Sequence, residues 1–330
     1  MAYRLTATLA ALAFAPTLAF APTEALAVDL KLSHQWSTSD VRHKVAQMVA
    51  DEVADDDINI TIYPSASLFK ANEQYNPLSR GRLDMTVLPL SYAGGQRPAY
   101  NLTLMPGLVK SHDHAARLVD SPFMEKLEEI MAEDDVMVLV HGYLAGGFAG
   151  AEECVTGPDT VKGKQMRAAG KAFEQMLAEA GASITSLPSS ELYSAMQSGV
   201  VDAANTSSSS FVSYRLYEQV KCFTPVSDYS LWFMYQPLLM NKSTFESLTE
   251  EQQAALLEAG KKAQAFYLEE AKKEDDEATA KFREAGVEIA EMTEAEFNAW
   301  RDVAKASSYK EFVAETPNGQ ELLDAALAVE

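Results

Sequence analysis

The sequence predicts an α/β fold in two interwoven lobes, with one long helix lying across both. Three observations lead there. Between Lys164 and Ala203, short buried-type strands alternate with helical runs in a βαβαβ rhythm, the pattern of a parallel sheet with crossover helices. Two apolar runs, Val136–Val140 and Leu231–Met240, sit beside chain breakers, the glycines Gly142, Gly146, Gly147 and Gly150 in one case and Pro237 in the other. These mark two crossings between lobes. Finally, the stretch Thr249–Glu284 runs without a proline. At ~1.5 Å per residue it would be roughly 54 Å long. A lobe of ~150 residues has a radius of gyration near ~15 Å. A straight helix there must overrun one lobe, unless Gly260 breaks it. The division expected is residues 28–148 plus 238–278 in lobe I, and 149–237 plus 279–330 in lobe II.

Taken in order, Asp29–Trp36 alternates at Leu30 and Leu32 and predicts the first strand. Ser39–Ala54 predicts a helix capped by Ser39 or Asp40, with Val41, Val45, Met48 and Val49 on one face. Asp55–Asp57 is a charged turn; it lacks the spaced ligands of a calcium loop. Ile58, Ile60 and Ile62 predict a second strand, ended by Pro64. A helix at 72–80 and a strand at 83–88 follow. Residues 91–108 form a loop, and 114–132 a helix. Val136–Val140 suits a strand buried on both faces. In the central stretch, a strand at 164–169 stops at Gly170 and a helix at 172–180 stops at Gly181. A strand at 182–187 stops at Pro188, a helix at 190–198 at Gly199, and a last strand covers Val200, Val201 and Ala203. Within Thr249–Glu284, Leu256, Ala263, Tyr267, Ala271, Ala278 and Phe282 keep helical spacing, and Thr249 with Gln252 matches a capping box. Lys272–Glu277 reads as its solvated face. Helices at 293–303 and 319–328 close the chain.

Composition narrows the function. The net charge of −21 argues against nucleic acid and against anionic membrane surfaces. It does not exclude an anionic ligand, because one arginine can dominate a closed pocket. The N-terminus carries Arg4, an apolar stretch from Leu5 to Ala21, and Ala25-Leu26-Ala27, the three regions of a secretory signal cleaved after Ala27. No later stretch reaches the ~18 apolar residues of a membrane span, so the mature chain is expected to be exported, soluble and periplasmic, without direct membrane insertion. Two cysteines in an exported chain, Cys154 and Cys222, suggest one disulfide; two separate buried thiols are the alternative.

No catalytic or cofactor signature is present: no G-x-S-x-G, no H-E-x-x-H, no P-loop, and no G-x-G-x-x-G after a strand. His112 and His114 flank Asp113, but alternate histidines in a loop are ordinarily only polar. The run Ser207–Ser210 has no placed base and reads as a polar loop able to donate hydroxyls. What remains is a binding kit. Arg167 sits in a strand otherwise built for burial, so it is half-exposed, paired with a neighbouring glutamate, or paired with an anion that its planar fork would hold at two points. Asn205 lies at a strand end of the same predicted sheet, where ends converge on a ligand crevice. Trp36, Tyr92, Phe148, Phe211 and Trp232 fall at predicted strand ends or hinge loops. Singly, each reads as core before ligand wall; together they fit a mostly apolar pocket with few polar contacts.

Several segments, GKQMRAAG, GASITSLPSSELYSAMQSGVVDAA, RLYEQVKCFT and INITIYPSASLFKANEQYNPLSRGRLDMTVLP, resemble the solute-binding proteins of TRAP transporters, the DctP family. The resemblance runs from about Asp29 to the C-terminus. It implies a two-lobed periplasmic binding protein fold, an arginine at the Arg167 position that holds an organic acid by its carboxylate, and no enzymatic activity. It also implies partners: a permease with one small and one large integral membrane subunit, driven by an ion gradient. The family often places an asparagine or another polar residue after D-G-x-x. Here the chain reads Asp202-Ala203-Ala204-Asn205, which leaves Thr206 and Ser207 as alternatives. Members that bind sialic acid carry a second arginine about twenty residues before the first. Here that region reads Gly146-Gly147-Phe148, which disfavours a large sugar acid and points to a smaller or more apolar one. A binding protein serving an ABC importer or a chemoreceptor for a small organic anion is the alternative reading.

Overall fold

The structure is a computed structural model, and it describes residues 27–330; the expected signal segment up to Leu26 lies outside the described residues. Twelve strands are present among them: β1 (Val28–Ser33), β2 (Ile58–Tyr63), β3 (Met85–Val87), β4 (Val136–Val140), β5 (Tyr143–Gly150), β6 (Gln165–Ala168), β7 (Ser183–Ser186), β8 (Ala203–Ser207), β9 (Cys222–Thr224), β10 (Trp232–Tyr235), β11 (Leu238–Asn241) and β12 (Glu288–Ile289). They form two sheets, one ordered β2-β1-β3-β11-β4, the other β12-β9-β5-β8-β6-β7 with β10 paired to β5. In the second sheet β6 runs parallel to both β7 and β8, as the βαβαβ rhythm requires.

The chain changes sheet at His141–Gly142, between β4 and β5, and again at Gln236–Pro237, between β10 and β11. The first crossing therefore falls before the expected boundary at Phe148. Of the glycines that suggested a relaxed backbone, Gly142 stands at the crossing, while Gly146, Gly147 and Gly150 belong to β5, which is fully buried and pairs with β8, β9 and β10. They serve close approach: a Cβ on Gly147 would lie 1.9 Å from the Thr224 carbonyl oxygen. At the second crossing the apolar run Leu231–Met240 divides into two strands, because Pro237 cannot continue a ladder. The two crossings are tied together, Gln236 N–H donating to the Gly142 carbonyl at 2.8 Å.

The long helix spans Glu250–Glu284 and opens on a complete capping box, the Thr249 and Gln252 side chains satisfying each other's backbone N–H. It passes through Gly260 without a break. A Cβ there would come within 2.5 Å of the Leu139 carbonyl oxygen, so the residue lets the helix lie close on β4. Further along, the helix packs on β5 and β12 of the second sheet. It thus lies across both sheets, and its Tyr267 hydroxyl donates to the Gln236 carbonyl at the second crossing.

Other elements differ from expectation in local ways. The helix expected over 114–132 is two helices, His112–Val119 and Pro122–Glu133, because Pro122 starts a new one at its first position. The last helix, Gly319–Leu327, shares a core with Pro122–Glu133 beside the first sheet, through Leu322, Leu323 and Ala326 against Phe123 and Leu127. The segment 279–330 thus has β12 in the second sheet and its last helix beside the first. Cys154 and Cys222 are joined in a disulfide with their Cα atoms 5.0 Å apart. Among the described residues no helix is long and apolar enough to cross a membrane.

Candidate ligand-binding site

Two buried arginines face one small cavity between the sheets. The first, Arg167, stands in β6 opposite Thr185 of β7 and Ala204 of β8, and is fully buried. A charge in such a place must be answered by hydrogen bonds or by a counter-ion. Its Nε donates to the Leu187 carbonyl at 2.9 Å, one Nη to the Asn205 carbonyl at 2.6 Å, and the other Nη to the Tyr92 hydroxyl at 3.1 Å. Every one of these acceptors is neutral. A guanidinium carries five N–H donors, so two remain without an acceptor.

Arg42 is the second, and nothing in the sequence reading singled it out. It lies in the first turn of helix Val41–Glu52, and its nitrogens make five hydrogen bonds. Nε and one Nη clamp the two oxygens of Asp40 at 2.7 and 2.6 Å. The remaining donors go to Ser210 Oγ at 3.0 Å, Ser207 Oγ at 3.2 Å and Gln236 Oε1 at 2.8 Å. Burial alone would raise the Asp40 carboxyl, but the charge and hydrogen bonds of Arg42 outweigh it and hold Asp40 ionised, below its usual range. The face of Arg42 lies over Trp36, 4.0 Å from the ring centroid. Its signal was legible: Arg42, Val45, Ala46 and Val49 share the buried stripe of one helix, so an arginine stands where an apolar residue belongs.

The cavity measures about 10 Å³, and its lining includes Arg42, Tyr92, Arg167, Ser207, Trp232 and Gln236, but no acidic side chain. Tyr92 comes from the 3₁₀ turn Leu90–Ala93 beside the first sheet, and its hydroxyl accepts from both Arg167 and the Ser189 N–H. It thereby bridges the two sides. Ser207 caps helix Ser208–Ser213 by accepting from the Ser210 N–H, which fixes the serine run as a hydroxyl cluster around Arg42. A groove of about 350 Å³ begins on the other side of Tyr92, lined by Ser91, Asn101, Gly170, Lys171 and Pro188 among others.

Of the residues read from the sequence, Arg167, Tyr92, Ser207 and Trp232 meet at this cavity. Asn205 lies within β8, not beyond it, because that strand starts only at Ala203. Its carbonyl serves Arg167, while its side-chain amide is buried with no protein partner on either atom. Trp36 sits one layer back, behind Arg42. Phe148 and Phe211 do not reach the cavity. Phe148 stacks on Trp300 at 6.0 Å and also meets Phe173. Phe211 packs edge-on against Phe223 and Phe282. Both are core residues, so the inference from Phe148 to ligand size has no structural basis.

Around the arginines lie two more ionisable groups, Glu274 partly buried and His34 fully buried. Glu274 of the long helix is pushed up to about 8, by burial first and by the nearby Asp40 charge second. His34 is pushed down to about 4, chiefly by burial. Its Nδ1 accepts the Trp36 N–H and its Nε2 faces His43 Nδ1 at 3.0 Å. As for metals, the group of candidate ligands among the described residues is Cys154, Cys222 and Glu288, whose sulfurs are committed to the disulfide. His112 and His114 are engaged separately, with Asp275 and with the Val329 carbonyl.

Arg167 thus lies buried between the two sheets with no counter-ion among the described residues. Residues 32–316 match the DctP family, described as bacterial extracellular solute-binding protein, family 7. The chain belongs to the DctP family of TRAP-transporter solute-binding proteins. A solute-binding protein of Albidiferax ferrireducens is 36% identical over 302 residues, 89% of each chain. The crystal structure of a TRAP periplasmic solute-binding protein from Rhodoferax ferrireducens, with bound malonate, superposes with a TM-score of 0.87 at 36% identity, covering 90% of this chain and 96% of that one. At lower identity, 22%, a Bordetella pertussis solute receptor that binds pyroglutamic acid shares the fold with a TM-score of 0.84, over 91% of this chain and 99% of the other. The DctP proteins are binding proteins and not enzymes, and the two-lobed fold with its long helix is theirs.

Proposed function

We propose that this DctP protein captures a small organic acid in the periplasm, with Arg167 gripping its carboxylate, and hands it to a TRAP permease of one small and one large membrane subunit. The observation that carries this reading is the Arg167 guanidinium, fully buried, with neutral acceptors only and two donors unused. A carboxylate supplies charge and two-point geometry together. The lobes are the halves carrying β1–β4 with β11, and β5–β10 with β12. At about 10 Å³ the cavity scarcely holds one water, so the lobes must part to admit an acid and close again over it. Closure is driven by the ligand's higher affinity for the closed form. Export by the leader, with cleavage after Ala27, places the protein where such a permease could receive it.

The malonate in the 36%-identical structure supports an acid of a few carbons. The test is a thermal-shift screen of small carboxylates, each beside its neutral primary amide. Acids should raise the melting temperature and amides should not. A screen in which amides stabilise as well as their acids would overturn the carboxylate grip.

A further inference from the structure

The cavity presents donors that the structure leaves unused, and their placement bears on what the rest of the ligand looks like. Gln236 sits at the second crossing, 1% exposed. Its Oε1 accepts from Arg42 at 2.8 Å, while its Nε2 has no protein partner. The amide orientation follows from chemistry: a guanidinium only donates, so the atom facing it is the oxygen, and the NH₂ must point elsewhere. Trp232 also lines the cavity, and its indole Nε1–H, a donor only, is likewise buried and unpartnered. A buried donor left without an acceptor is costly, so two at one cavity call for one.

Charge says what kind of acceptor. The lining carries two guanidiniums, but Arg42 is neutralised by the two-point contact with Asp40, and no acidic side chain lines the cavity. One positive charge is left, that of Arg167. A dianion would bring one negative charge too many into a dry site, where an uncompensated charge is strongly disfavoured.

Resting on the carboxylate grip of Arg167, we propose that Gln236 Nε2 and Trp232 Nε1 form a neutral donor subsite for an uncharged acceptor on the ligand. The ligand class is then a monocarboxylate bearing an oxo or similar carbonyl group, in preference to a dicarboxylate. Arg42, held by Asp40, acts as the positioning residue that turns the Gln236 amide so its NH₂ faces the cavity.

Matched acids test this by calorimetry on the purified protein at pH 7.5. Pyruvate is set against propionate and malonate, and 4-oxopentanoate against pentanoate and glutarate. At least one oxo acid should bind ten-fold or more tightly than both its partners. Gln236→Leu should shrink the oxo preference to three-fold or less. Trp232→Phe should also shrink it, and serves if Gln236→Leu does not fold. Equal binding of oxo and plain acids, or tighter binding of the dianion, with Arg167→Ala still abolishing all binding, overturns the donor subsite and leaves the Arg167 grip standing. Failure of every acid to bind overturns both.

Discussion

Arg42 and Arg167 are both buried, both at the same cavity, and both in stretches patterned for apolar residues, yet they solve the problem of a buried charge in opposite ways. Arg42 carries its counter-ion two residues away and spends all five donors inside the protein. Arg167 meets three neutral acceptors and keeps two donors back. The first arrangement is complete and therefore structural: it ties helix Val41–Glu52 to the serine cluster and to the crossing at Gln236. The second is incomplete, which is the ground for proposing that it receives the ligand. Burial and charge alone would not separate them; their hydrogen-bond partners do.

The comparison can be broken most forcefully at Arg42. Arg42→Ala leaves the buried Asp40 carboxyl without its partner, and should cost about 3–5 kcal/mol of unfolding free energy, read from urea melts. Replacing both partners, Asp40→Leu with Arg42→Met, removes the stranded charge and should recover at least half of that loss. If the double variant is as unstable as the single one, the pair is not the self-sufficient unit described here.

A pH experiment sharpens the same contrast. Unfolded, Glu274 ionises near its ordinary 4.5; folded, it holds its proton up to about 8. The folded state then binds more protons in between, so this group's contribution is full below pH 4.5 and is lost as pH rises through about 8. Between pH 7 and 9 the loss should be about 1.4 kcal/mol, and Glu274→Gln should remove that slope. His34 has the opposite sign. Its folded value of about 4 lies below the ordinary 6.5, so stability is full above pH 6.5 and falls as pH drops toward 4. His34→Gln should reduce that fall in melting temperature, the remainder coming from His43, which burial also lowers.

Much of this was legible in the sequence. The βαβαβ core, the capped long helix and Pro237 at a crossing follow from periodicity and breakers, which are local. Arg167 was legible because a charge in a buried strand is conspicuous. Arg42 was missed although it offered the same sign, since its apolar stripe was traced through Val41 and Val45 and not through the arginine between them. Phe148 and Phe211 were placed at the ligand because strand position does not tell which face of a sheet a side chain joins when both faces are buried. Gln236 gave no signal at all. Its role depends on Arg42, 194 residues away in the chain, and on an amide orientation that only that contact fixes.

The most direct test of the difference between the two arginines is to measure binding and stability together for Arg167→Ala. Calorimetry with the acid selected by the thermal-shift screen, beside urea melts, gives both. The account predicts binding weakened by ~2–5 kcal/mol, with unfolding free energy within about 1 kcal/mol of wild type and circular dichroism unchanged. A folded Arg167→Ala protein that binds the acid as tightly as wild type would contradict it.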